Sequence, residues 1–60
     1  SNVVSVGWAD QVLEVEFKSA IYRYDGVPEE LFQQLLASNS KGQFINQHVK
    51  GQYTFAKVAA

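Results

Sequence analysis

Cysteine and methionine are absent, and histidine and proline each occur once in 60 residues. Without cysteine there is no disulfide framework, and a lone histidine leaves no zinc site built from Cys and His, so neither a metal nor a cofactor is expected. No apolar run approaches the roughly 18 residues needed to cross a bilayer, and the amino terminus lacks a charged stretch followed by a hydrophobic one. The chain is therefore expected to be soluble and cytoplasmic, with no membrane partner. Ser1 and Asn2 carry no structural weight in this reading.

Carboxylates are missing from the last third. Asp10, Glu14, Glu16, Asp25, Glu29 and Glu30 all precede residue 38, whereas Lys41, Lys50 and Lys57 follow it. On a chain of net charge −1 this asymmetry creates a local positive field of the kind that attracts phosphate. A solvated surface has the same composition. At this length residues 1–60 make one domain, which buries only about 60% of the surface its unfolded form exposes. A core so small rarely supplies more than about 3–5 kcal/mol, so the apolar residues must hold the fold, with a homo-oligomeric interface as one further source of stability.

What is present is alternation. Val4, Val6 and Trp8 alternate with Ser5 and Gly7, predicting a strand over 3–9. A two-residue loop at Asp10 and Gln11 pairs Trp8 with Leu13, Val6 with Val15 and Val4 with Phe17. Residues 12–24 alternate again as a hairpin. With Ser19 and Ala20 as its loop, Phe17 faces Tyr22, Val15 faces Tyr24, and Glu16 lies opposite Arg23 on the other, charged face. Pro28 at the first helical position, Glu29 and Glu30 in the first turn, and Leu31, Phe32, Leu35 and Leu36 at helical spacing predict a helix ending near Ala37 or Ser38. Ser40 and Gln43 have capping-box spacing, so a second short helix begins at Lys41 and places Phe44, Ile45, His48 and Val49 on one face. Gly51 sits where a left-handed residue would end it. Tyr53 and Phe55 follow in an extended tail that either joins a sheet edge or packs its rings between the helices. The expected fold is α+β: a three-stranded antiparallel meander, two short helices covering one face, and an extended C-terminal tail (βββαα).

Leu13-Glu14-Val15-Glu16-Phe17-Lys18-Ser19, Tyr22-Arg23-Tyr24, Gly26-Val27-Pro28, Lys41-Gly42-Gln43-Phe44-Ile45-Asn46 and Val49-Lys50-Gly51-Gln52-Tyr53 together resemble the KTSC domain. That family is named for its place at the carboxyl terminus of some lysyl-tRNA synthetases, and it occurs also as small stand-alone proteins of bacteria and their phages. The resemblance covers almost the whole chain. Its most distinctive pieces are the Tyr-x-Tyr at 22–24 and the Phe-x-Asn with its basic-Gly-x-Tyr sequel at 44–53. Departures are Ala20 where glycine is common, Trp8 in place of tyrosine, Lys50 in place of arginine, Thr54 in place of proline, and a shorter first hairpin loop. The synthetase setting implies RNA, either tRNA or a single strand, as a partner class; an appended domain of this kind equally suits assembly.

Tyr22 and Tyr24 have the look of a base-stacking platform, but the register places both rings with Leu13, Val15 and Phe17 on the face the helices cover, which assigns them to the core. The nucleic-acid-binding set is then Lys41, His48, Lys50, Tyr53 and Lys57. Lys50, where the second helix ends, is the leading phosphate contact, although a cation there also complements the helix dipole. An enzymatic reading lacks a cysteine nucleophile, a glycine-rich phosphate loop and a partner for the single histidine. The expected function is a small nonenzymatic binding module, for nucleic acid through the basic C-terminal third or, alternatively, for protein–protein assembly as a homodimer.

Overall fold

The computed structural model describes residues 3–59, so Ser1, Asn2 and Ala60 lie outside the described residues. Its elements run β1 (Val3–Ala9), β2 (Val12–Phe17), β3 (Ile21–Asp25), α1 (Glu29–Ala37), α2 (Lys41–His48) and β4 (Phe55–Ala59). The four strands form one antiparallel sheet in the order β1-β2-β3-β4. The α+β class holds, but the three-stranded βββαα arrangement is corrected, because the tail is a fourth strand laid along β3. Tyr22 pairs with Lys57, Arg23 with Ala56 and Tyr24 with Phe55, and the Asp25 amide donates to the Thr54 carbonyl at 2.9 Å. The helical pair brings the chain back beside β3, whose outer edge would otherwise leave a row of backbone donors and acceptors without partners.

Both hairpins follow from local chemistry. Asp10 and Gln11 adopt φ of 51° and 70°, the left-handed pair that a two-residue type I′ loop demands, and Trp8↔Leu13 and Val6↔Val15 pair as the alternation requires. Further on, a bulge at Val4 shifts the register so that Val3, not Val4, faces Phe17. Val4 is left 57% exposed. In the second hairpin the last pair is Glu16↔Ile21 and Val15 faces Tyr22, a two-residue slip from the Ser19-Ala20 loop. Neither Ser19 nor Ala20 has positive φ, and the chain instead uses a longer connection closed by the Phe17 amide on the Ala20 carbonyl at 2.8 Å. A slip of two preserves which face each side chain takes. It changes the partners, so Arg23 pairs with Glu14, Nε to Oε1 at 2.9 Å, rather than with Glu16.

The inner face of the sheet and the helices meet in a core of Leu13, Val15, Tyr24, Val27, Leu35, Ile45 and Val49. Pro28 immediately precedes α1, and its carbonyl accepts from the Leu31 and Phe32 amides. Ser40 Oγ accepts from the Gln43 amide at 3.3 Å and caps α2. The Trp8 indole Nε1–H donates to the Val27 carbonyl at 2.8 Å and its ring stacks on Phe32 with centroids 6.3 Å apart. Trp8 thereby ties β1 to the connection that leads into α1. Among the described residues, no helix is long and apolar enough to cross a membrane.

Candidate nucleic-acid interface

Cross-strand partners share a face, so the inner face carries the rows Trp8–Leu13–Tyr24–Phe55 and Val6–Val15–Tyr22–Lys57. The helices close over the first three strands, whereas all five residues of β4 are exposed. The rows therefore run from a sealed core to an open rim at Phe55 and Lys57. Phe55 is 61% exposed, although its ring touches those of Tyr22 and Tyr24 at centroid distances of 5.6 and 5.9 Å.

Where α2 runs into β4 the chain turns through Gly51, whose φ of +80° suits glycine alone without strain. This turn lays Lys50 beside the rim. Its Nζ stands 5.6 Å from the Phe17 ring centroid, a cation–π position, and Phe17 packs edge-on against Tyr22 at 5.8 Å. Tyr22, Tyr24, Lys50, Gly51 and Phe55 together line a groove of 280 Å³. No carboxylate is among them. A second hollow adjoins it, lined by Gly51, Gln52, Tyr53, Thr54 and Phe55.

Tyr24 is 3% exposed, and burial first, with the neighbouring Tyr22 second, pushes its phenol pKa above the ordinary value. It stays a protonated donor well into the alkaline range. Among the described residues its hydroxyl has no hydrogen-bond partner, yet the only fully occluded side-chain polar atom without one is Ser38 Oγ. The Tyr24 hydroxyl therefore keeps an opening to solvent. Tyr24 is part of the buried core and Tyr22 packs partly buried against it, and both also line the groove.

The five residues nominated for nucleic-acid contact are not all brought together. Lys50 lines the groove, Lys57 is in register with Tyr22 on the same face, and half-buried Tyr53 lines the adjoining hollow. Lys41 is occupied elsewhere, its Nζ donating to the Leu36 and Ser38 carbonyls at 3.2 Å each, where it satisfies the carboxyl end of α1. His48 is exposed, and its ring lies 4.6 Å from that of Phe44 on the flank of α2. Phe55, which the sequence left between the sheet edge and the helices, was not among the nominated residues although it lines the groove. The signal was there in Phe55-Ala56-Lys57, an alternation that answers Tyr22-Arg23-Tyr24 across one pair of strands.

The opposite face differs in sign. A wider hollow of 600 Å³ there includes Asp10, Glu14, Arg23 and Asp25, and Glu14 takes up the Arg23 charge. An acidic trough of this kind repels phosphate, so the two faces of the sheet are electrostatically distinct.

A four-stranded antiparallel meander with a helical pair inserted before its last strand, and an aromatic groove at the edge, defines a small α+β domain. The KTSC domain profile matches residues 1–53. The crystal structure of a KTSC domain protein from Yersinia pestis superposes with a TM-score of 0.91 at 34% identity, covering 97% of this chain and 86% of that one. An uncharacterised protein of Stutzerimonas stutzeri strain A1501 is 46% identical over 56 residues, 88% of this chain and 79% of that protein. A protein of Tsukamurella paurometabola is 44% identical over 46 residues, 75% of this chain and 69% of its own length. The chain belongs to the KTSC domain family. Tyr22, Tyr24, Lys50 and Gly51 fall within the matched residues, and Phe55 and Lys57 lie beyond them.

Proposed function

We propose that this KTSC domain is a nonenzymatic nucleic-acid-binding module that meets RNA phosphates along the rim where α2 runs into β4. The observation that supports the reading is that two cations border one pair of packed rings: Lys57 is in register with Tyr22, and Lys50 sits over Phe17, which packs on Tyr22. The carboxylates of the sheet lie on the other face. Affinity is modest and electrostatic, because each neutralised phosphate releases counterions. Titration of labelled tRNA and single-stranded RNA by fluorescence anisotropy, repeated as salt rises, tests it. The slope of log affinity against log salt is about −0.7 per phosphate contacted on a single strand, and Lys50→Glu with Lys57→Glu abolishes binding while Lys41→Gln leaves the slope unchanged. Absence of binding at low salt refutes the reading.

Assembly by strand addition is the second reading, favoured by the full exposure of β4 with Val58 at 45%. Two features of the edges oppose it. β1 carries a bulge at Val4, and β4 carries another at Val58 beside Lys57, and bulges and edge lysines are devices that discourage sheets from pairing. Sedimentation at high protein concentration separates the readings, with a monomer expected.

A further inference from the structure

The phosphate reading accounts for the lysines but leaves the groove beside Lys50 without a use. Its parts are an exposed ring at Phe55, a floor whose Tyr24 hydroxyl reaches solvent, and a cation at Lys50. Among the described residues neither the Tyr22 nor the Tyr24 hydroxyl has a hydrogen-bond partner, whereas such groups usually find one when packed against a core. An aliphatic side chain in the groove would leave those hydroxyls unmatched. A free inorganic anion would leave Phe55 unmatched. A flat heterocycle with polar edges, joined to a phosphate, matches all three.

Resting on the phosphate reading, we infer that the groove holds one unpaired nucleobase of an RNA strand, stacked against Phe55, with its polar edge at the Tyr22 and Tyr24 hydroxyls and its phosphate at Lys50. The volume of 280 Å³ lies just under the range of about 300–1,000 Å³ typical of small-ligand pockets, which suits one base and not a stacked pair. A duplex keeps its bases inside the helix and has none to insert. The module accordingly distinguishes single from double strands through this groove, and its lysines alone do not.

The test compares three probes by anisotropy at one low salt concentration: an oligoadenylate, an abasic phosphodiester of the same length, and an RNA duplex. Wild-type protein prefers the oligoadenylate over the abasic chain by roughly 5- to 150-fold, the ratio that corresponds to one stacked base. Phe55→Ala removes that preference and leaves weak, salt-dependent binding to all three probes. Phe55→Leu, which keeps apolar bulk, behaves in the same way, and circular dichroism verifies that both variants are folded. Tyr24→Phe reduces the preference by roughly 2- to 12-fold, the ratio for one hydrogen bond. Equal wild-type affinity for the oligoadenylate and the abasic chain, with a normal salt slope, overturns the base site while the phosphate reading stands. Failure to bind any probe overturns both.

Discussion

Replacing Trp8 with phenylalanine removes the indole bond that joins β1 to the connection leading into α1. The Val27 carbonyl, which accepts the indole N–H at 2.8 Å in a partly buried setting, is left without its partner, at a cost of about 1–3 kcal/mol. The smaller ring gives up apolar area against Phe32, about 1 kcal/mol more. The sum is about 2–4 kcal/mol, against a total stability of at most about 3–5 kcal/mol for a core this small. At about 4–8 °C per kcal/mol for a domain of this length, Tm falls by about 8–32 °C in a thermal melt followed by far-ultraviolet circular dichroism. Hydrogen exchange gives a second reading, because the Val27 amide bonds the Gln11 carbonyl at 2.8 Å and should lose protection with the indole anchor. Phe32→Leu keeps the indole bond and lowers Tm by less. A Trp8→Phe melt within about 4 °C of wild type refutes the reasoning, since it would mean that the Val27 carbonyl is as well served by water.

Gln11, held at φ of 70° without being glycine, makes the first turn strained, so Gln11→Gly raises stability by about 1 kcal/mol, read as a higher denaturant midpoint. Ser40→Ala removes the cap on the Gln43 amide and costs about 0.5–1 kcal/mol by the same assay. The Tyr24 phenol has its pKa raised by burial, so between its unfolded and folded pKa values the folded state binds more protons. Its contribution is complete below about pH 10 and is lost as pH climbs through the folded value. Denaturant midpoints measured across that range should fall more steeply for wild type than for Tyr24→Phe, and parallel curves would contradict this.

Much of the architecture was legible from alternation, because period-two patterning assigns faces without needing partners. The 10–11 turn, the capped start of α2 at Ser40 and the left-handed Gly51 each declare themselves through one residue's local chemistry. The second hairpin was legible in faces but not in register, since a slip of two leaves every apolar residue inside and only a pair such as Glu14–Arg23 reveals it. β4 was hardest to see. Phe55-Ala56-Lys57-Val58-Ala59 contains two residues of good strand preference, Phe55 and Val58, and its pairing with β3 spans both helices, so its alternation alone left open whether it joins the sheet edge or packs between the helices. The site suffered for the same reason. Lys50 and the tyrosines could be named from their motifs, but Phe55 and Lys57 join them only through that non-local pairing, and the loss of Lys41 to the end of α1 depends on where a flexible side chain comes to rest.

The central claim is that a ligand is met on the rim of α2 and β4 and not on the acidic face. Amide chemical shifts of the ¹⁵N-labelled domain, followed while single-stranded RNA is added at low salt, test this most directly. Perturbations clustered at Tyr22, Tyr24 and residues 49–57, with Gly7, Glu14 and Asp25 unmoved, are the predicted result. A cluster on the acidic face, or a spectrum that does not change, would contradict the account.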